Sequence, residues 1–329
     1  MLTMRSRVVV VAFLACIVVL ALSADASPQS GRNAPTVGVL NYGAAHDALV
    51  NQFLSALRDL GYVDAKSVII IQRHADGDLD RLPELAAELV AAKVDVIIAL
   101  GPLVWAAKQA TTTIPIVIAF SGNPEQQGVV ASLAHPGGNI TGFSYMSSDL
   151  AGKRLELLCS VFARCHSIAV LYNPQEPATK RELEETAAAA RNLGVTLKPV
   201  PVRYPDELGE AFANAGRGQV EGLLVFTHGF AVLNSARIIA LAARQRLPVL
   251  YGWREFVEDG GFMSYGPDVR ILVRQAALYV DRILRGEKPS ELPVQQPTRL
   301  ELIVNLKTAK ALGLDLSAAL LARANEVIE

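Results

Sequence analysis

Cysteine, aromatic rings and net charge are all scarce in this chain, and each scarcity removes a class of function. Of its three cysteines, Cys16 lies in an N-terminal apolar run, which leaves Cys159 and Cys165 for the folded part. No Cys/His grouping has the spacing of metal ligands, and the five histidines are scattered. Asp76, Asp78 and Asp80 lack the downstream Glu of a calcium loop and read as a solvated turn and helix start. The formal net charge is −1, so no basic field is available to attract nucleic acid. Neither a glycine-rich phosphate loop nor a nucleophile with its base occurs, and Gly137-Gly138 does not sit between a strand and a helix. The chain therefore reads as a non-enzyme without a cofactor.

Apolar residues are plentiful instead. They make up 51% of 329 residues, enough for two domains of ordinary size. Arg5 and Arg7 precede an apolar run over residues 8–22 and then Ala24-Asp25-Ala26. That pattern predicts a secretory signal peptide over residues 1–26, removed after Ala26, and hence a periplasmic protein. Export permits a Cys159–Cys165 disulfide, whereas the amphipathic pattern around Cys159 suits a buried free thiol equally; both readings stay open.

Strand-like and helix-like stretches then alternate. Residues 36–41, 67–72, 94–100 and 114–120 read as strands. Helical patterns lie between them, over 47–60, from 80 or 82 through 90, and over 103–111, with a further helix running towards Leu133. The second half repeats the plan. Ile168-Ala169-Val170-Leu171-Tyr172-Asn173 echoes Val37-Gly38-Val39-Leu40-Asn41, Leu193-Gly194 echoes Leu60-Gly61, Val220 to Val225 echoes Val94 to Ile98, and Leu247-Pro248-Val249-Leu250 echoes Ile114-Pro115-Ile116-Val117. The offsets are all about 130 residues, far above solenoid periods of about 20–50. Between the copies lies His135 to Met146, whose residues 140–146 read as an isolated extended run, with Ser147-Ser148-Asp149 able to start the next helix.

Two architectures suit such a repeat: two doubly wound lobes, or two halves of one (β/α)8 barrel. The extra extended runs at 140–146 and 262–266 favour lobes joined by crossing strands. We expect an α/β fold with two doubly wound parallel-sheet lobes and a multi-strand hinge. The first lobe takes residues 35–145 and 267–288, and the second takes 146–266 and 289–329, where residues 300–305 cross back and the final helices complete it. Ligands bind such sheets beyond the carboxyl ends of the strands. The candidate ligand-binding residues are therefore Asn41, Tyr42, Gly101, Ser121, Gly122 and Asn123 from the first lobe, and Asn173, His228 and Tyr251 from the second. Ser144, Tyr145 and Tyr265 join them from the hinge. Hydroxyls, amides and rings dominate this set, which suits holding a polar small molecule rather than acid–base chemistry. Several have plainer readings: Tyr42 as a rim cover, His228 as loop packing, Asn41 and Asn173 as turn caps. Trp105, on a helix, reads as core.

At these residues the chain resembles the TrpX-like (ABC-type) substrate-binding proteins of bacterial amino-acid importers. The resemblance runs from Thr36 to Glu329. It is most specific in Arg81-Leu82-Pro83-Glu84-Leu85-Ala86-Ala87-Glu88-Leu89, Ala106 to Thr111, Ser132 to Gly142, Tyr251-Gly252-Trp253-Arg254-Glu255-Phe256-Val257 and Asn305 to Gly313. It implies a monomer with a type I periplasmic-binding fold that closes over a small-molecule ligand and delivers it to an ABC permease in the inner membrane. An amino acid, with aromatic ones favoured, is the ligand implied. The chain departs from the family pattern at Pro102, where relatives often carry a small hydroxyl residue, and at Asn123, where they tend to carry Asp. A periplasmic sensor that shows its closed form to a membrane receptor is the alternative reading.

Overall fold

Short apolar runs that end in Asn, Ser or Gly become the strands of two sheets. A computed structural model describes residues 34–43, 47–101, 103–176, 178–217 and 220–329, of which Pro35–Glu329 form one unit. The expected signal peptide and Pro102 lie outside the described residues. In chain order, β1 (Thr36–Asn41), α1 (Ala48–Asp59), β2 (Ile69–His74), α2 (Leu82–Ala91), β3 (Val96–Leu100), α3 (Val104–Ala110), β4 (Ile116–Ser121) and β5 (Ile140–Ser144) come first. They are followed by α4 (Ala151–Cys159), β6 (Ser167–Tyr172), α5 (Thr179–Leu193), β7 (Thr196–Pro201), α6 (Leu208–Arg217), β8 (Gly222–Val225), α7 (Gly229–Leu233), α8 (Ser235–Arg244), β9 (Val249–Tyr251), α9 (Glu255–Glu258) and β10 (Met263–Gly266). The chain closes with α10 (Val269–Leu284), β11 (Glu301–Asn305), α11 (Leu306–Leu312), α12 (Ala318–Leu321) and β12 (Glu326–Ile328).

The first sheet has the order β2-β1-β3-β4-β5, and the second runs β7-β6-β8-β9-β10-β11-β12. The internal repeat is thus visible as one strand order used twice, the doubly wound order in which the chain reverses direction beside its first strand. All pairings are parallel except β10 with β11. Strands β3, β4 and β5 are buried along their whole length, which is why they read as unbroken apolar runs. Helix starts are capped locally: Asp47 accepts from Leu49 N at α1, and Asp268 accepts from Arg270 N at α10.

The chain passes between the sheets three times, after β5, after β10 and before β11. Helix α10 returns to the first sheet, packing on β3, β4, β5 and α1 with Leu272, Val273, Ala276, Ala277 and Val280 buried. The last crossing comes later than the expected change at residue 289. Gln295 N donates to Gly142 O and Ser144 N donates to Gln295 O, so residues 292–295 run beside β5 before the chain leaves.

Three further expectations differ. No helix forms between Pro124 and Leu133; Asn123 Oδ1 accepts from Gln126 N and Gly128 takes φ +70°, which close turns instead. Ser148 and Asp149 do not cap α4, because their side chains pair with Gln126 and Asn123 across the crossing. The C-terminal segment adds β12 where only helices were expected. Cys159 and Cys165 are joined in a disulfide with Cα atoms 5.3 Å apart, between the end of α4 and the start of β6.

One glycine is required by the close approach of β4 and β5. Gly142 has φ +137°, and a Cβ there would overlap the Ile118 carbonyl and amide. Gly142→Ala is expected to lower unfolding free energy by about 3 kcal/mol, read from urea titration. A loss within 0.5 kcal/mol, roughly that of a surface change, would show that the strands do not pack this closely.

Candidate functional site

The carboxyl ends of both sheets face each other across a cleft with a cavity volume of about 60 Å³. The first lobe supplies Asn41, Tyr42, Gly101, Trp105, Phe120, Ser121, Gly122 and Gln127; the second supplies Glu176, His228, Gly229, Val232, Leu233 and Trp253. Tyr145, on the first crossing, lies between them. Each position follows from topology, since residues just past a strand end cannot avoid this face.

The lobes touch across the cleft. Trp253 of the second lobe meets Phe120 of the first edge-on at 5.3 Å, and Tyr145 lies 6.1 Å from Trp253. Tyr42 Oη donates to Gly77 O at 3.0 Å, which fixes its ring over Gly229. A Cβ at Gly229 would come 2.5 Å from the Tyr42 ring, and one at Gly77 would come 2.9 Å from Leu233. Only hydrogen fits at Gly229, where the two lobes touch.

A chain of buried polar groups backs the second-lobe wall. Tyr145 Oη lies 2.6 Å from His228 Nδ1, and His228 Nε2 lies 2.8 Å from Glu182 Oε2. Arg154 Nη1 donates to Glu182 Oε1 at 3.0 Å and to Ser147 O, and its Nε donates to Tyr265 O at 2.9 Å. Arg154 and Glu182 are 4% and 1% exposed, too deep for water to compensate either charge alone. For His228, burial lowers the pKa, but the hydrogen bond and charge of Glu182, joined by Glu176, outweigh it and leave the ring above its usual 6.5. Burial, together with nearby carboxylates, raises the Tyr42 and Tyr145 phenols, so both keep their protons as donors.

Glu176 is another buried carboxylate. Its Oε1 accepts from Phe230 N at 2.7 Å at the start of α7, and it lines the cleft at 2% exposure. A carboxylate accepts at about four positions, so one backbone contact leaves capacity for a ligand cation.

Of the residues singled out in the sequence, the structure brings Asn41, Tyr42, Gly101, Ser121, Gly122, Tyr145 and His228 to the cleft wall. Five lie elsewhere. Asn123 lines a neighbouring polar groove and spends its side chain on Asp149 and Gln126. Ser144 is buried, bonding Gly122 O and Met146 N. Asn173 closes a turn, accepting from Gln175 N. Tyr251 is wholly buried and stacks on Phe256 at 4.6 Å. Tyr265 contributes its carbonyl to Arg154 from β10. Trp105 reaches the cleft rather than only the core, with Lys108 Nζ 5.0 Å over its ring. Phe120, Gln127 and Glu176 were missed, although Glu176 stands only three residues past Asn173; Trp253, beside Tyr251 in the strand-end run Tyr251-Gly252-Trp253, reaches the cleft where Tyr251 does not.

Residues 36–328 match the family described as ABC transporter substrate binding protein. The chain belongs to that family. It is a family of substrate-binding proteins, not of enzymes. A protein described as a tyrosine-binding protein, from Clostridioides difficile strain R20291, is 28% identical over 264 residues, covering 80% of this chain and 75% of that protein. A conserved domain protein from Vibrio cholerae O1 biovar El Tor has a TM-score of 0.83 at 27% identity, over 90% of this chain and all of that one. A Streptococcus pneumonia ABC domain solved with L-Trp has a TM-score of 0.82 at 23% identity over the same shares. A ligand-free, open substrate-binding protein with adhesive properties from Clostridium difficile has a TM-score of 0.64 at 24% identity, over 89% of this chain and 99% of that one. A periplasmic binding protein/LacI transcriptional regulator from Alkaliphilus metalliredigens and a periplasmic binding ribose operon repressor protein from Lactobacillus acidophilus, both 14% identical over 81% of this chain and 96% of each of theirs, share the fold with TM-scores of 0.55 and 0.57. Among the described residues, no helix of this substrate-binding protein is long and apolar enough to cross a membrane.

The buried pair makes a direct prediction. Glu182→Ala leaves Arg154 charged and alone, so unfolding free energy in urea is expected to fall by about 3–5 kcal/mol. The double change Arg154→Met with Glu182→Leu should recover much of it. A single-variant loss under about 1 kcal/mol would mean the pair is hydrated.

Proposed function

We propose that this substrate-binding protein holds an aromatic amino acid between its lobes and delivers it to an ABC permease after export to the periplasm. One observation carries this reading: a cleft walled by Phe120, Tyr145, Trp105 and Trp253 that also contains the buried carboxylate of Glu176. The rings suit an aromatic side chain by edge and face contacts. Glu176 suits an α-ammonium, filling the role that Asn123 cannot take. Asn41 and Gln127 offer amide donors from the opposite lobe for an α-carboxylate, and the Ser121 hydroxyl, donating to Gln127 Oε1, holds Gln127 in place. Ligand groups divided between lobes in this way favour closure, because both sets are engaged only when the lobes meet.

Several features support the reading. The tyrosine-binding relative and the L-Trp complex fit the ligand class, and the lower TM-score to the open structure fits a closed cleft. The leader pattern in the sequence supports export. The lobe division we propose follows the two sheets, with α10 assigned to the first lobe.

Thermal denaturation of residues 27–329 with L-tyrosine, L-tryptophan and L-phenylalanine tests the ligand class. A hundredfold excess over Kd is expected to add about 2.7 kcal/mol of stability. A shift with sugars or inorganic anions and none with these amino acids would discard the reading. Glu176→Gln is expected to weaken amino-acid affinity by at least about tenfold, since a charge-assisted bond of about 1.5–3 kcal/mol is lost. The same affinity for the decarboxylated and the intact amino acid would show instead that Asn41 and Gln127 do not hold the carboxylate. Gly229→Ala should lower affinity with little change in the stability of the ligand-free chain, because the added methyl obstructs only the closed form. Calorimetric titration reads the first of these quantities and urea unfolding the second.

A further inference from the structure

Lys108 does not line the cleft, yet it holds two parts of the first-lobe wall at once. Its ammonium lies 5.0 Å over the ring of Trp105, one turn earlier on α3. The same Nζ donates to Gly128 O at 2.7 Å and to Val129 O at 3.1 Å. Those carbonyls end the turns that stand where a helix was expected after β4. Among the described residues they accept from no backbone N–H, so the ammonium is what satisfies them. Gln127, the residue just before, lines the cleft. Its Oε1 accepts from Ser121 Oγ at 3.2 Å, which leaves its amide nitrogen as the donor. Charge around the cleft is uneven as well. Asp47 and Glu176 line it, whereas among the described residues no Lys or Arg does. Lys108 places a positive charge beside the wall that lacks one.

We propose that Lys108 is a positioning residue for ligand recognition, which fixes Trp105 and the Gln127 turn against each other and biases the first-lobe wall towards a carboxylate. This rests on the aromatic amino-acid reading and adds to it a residue that acts without touching the ligand. Trp105 offers its ring to the aromatic side chain and Gln127 its amide to the α-carboxylate, so Lys108 sets the spacing between the two contacts. An N–H···O contact stretched to about 3.6 Å is no longer a hydrogen bond, so a small drift of the turn disengages the amide. The charge works in the same direction. A cation near Trp105 repels a ligand ammonium and attracts a ligand carboxylate, and Glu176 in the opposite lobe does the reverse. Arginine keeps both the charge and several donors at this position. Methionine keeps the apolar contact with the ring but neither of those. A lysine that merely stapled the fold would be indifferent to the charge of the ligand.

Calorimetric titration of residues 27–329 with L-tyrosine and with tyramine, its decarboxylated form, tests this in the wild type, Lys108→Met and Lys108→Arg. In Lys108→Met the affinity for L-tyrosine is expected to fall about tenfold, the worth of a hydrogen bond to a charged group, while that for tyramine hardly changes. Lys108→Arg should keep most of the preference for L-tyrosine. Lys108→Gln, which keeps a donor without the charge, serves if Lys108→Met fails to fold. Equal losses for both ligands in Lys108→Met, an unchanged preference there, or equal wild-type affinity for the two ligands overturns the proposal. Trp105 supplies a second readout that uses no ligand. The chain has two tryptophans, so in a Trp253→Phe background the indole emission comes from Trp105 alone. Loss of the ammonium over its ring should shift that emission in Lys108→Met and leave it near the parent value in Lys108→Arg. If the wild type binds neither ligand, the amino-acid reading fails and the emission decides the positioning by itself: an unchanged emission in Lys108→Met overturns it.

Discussion

Glu182 is a carboxylate buried where water cannot reach, and it persists there because Arg154 takes one of its oxygens and His228 takes the other. Much of the molecule is arranged around that constraint. Helices α4 and α5 must lie side by side to bring the pair together. Both hinge carbonyls that Arg154 reaches must sit at the helix surface. His228 must turn inward from the end of β8, which places it at the back of the cleft with Tyr145 in front of it. A buried ion pair is weak evidence of net stability, since apolar residues could fill the same volume. What it provides is a fixed position for one wall of the site relative to the crossings.

The cleft divides its labour between lobes. Aromatic surface comes from both sides and from the crossing, while the buried carboxylate belongs to the second lobe alone. For the amino-acid ligand proposed above, that asymmetry would favour one orientation of the zwitterion. Glu176 caps the start of α7 through Phe230 N within the second lobe, so its position does not depend on a ligand. Tyr42 behaves alike, since its hydroxyl is satisfied within the first lobe by Gly77. The site's polar groups are held in place before the lobes meet, and closure loses little further order.

The repeat and the strand order were legible because buried parallel strands have to be apolar throughout, and the stop residues after them recur at matching positions. The location of the cleft followed from topology, and seven of the singled-out residues reach it. What could not be read was which face of a loop points inward. Tyr251 and Trp253 are two residues apart, yet one is sealed under Phe256 and the other stands in the cleft; only packing decides between them. Glu176 was passed over because an acidic residue in a polar loop ordinarily points to solvent, and its burial depends on the distant start of α7. Gly128 and Asn123 similarly turned an expected helix into turns through local hydrogen bonds that composition does not reveal.

The three crossings run side by side rather than as one strap. The segment at 292–295 pairs with β5, and β10 pairs with β11 just beyond, so neighbouring crossings are joined by backbone hydrogen bonds on each side of the gap. A single strap would leave the lobes free to twist as well as bend. A ribbon of paired strands resists torsion and yields chiefly about one axis. Lobes that open and close as proposed would thereby be confined to a single path, and a membrane partner that touches both would meet a small set of definite shapes in place of a loose distribution.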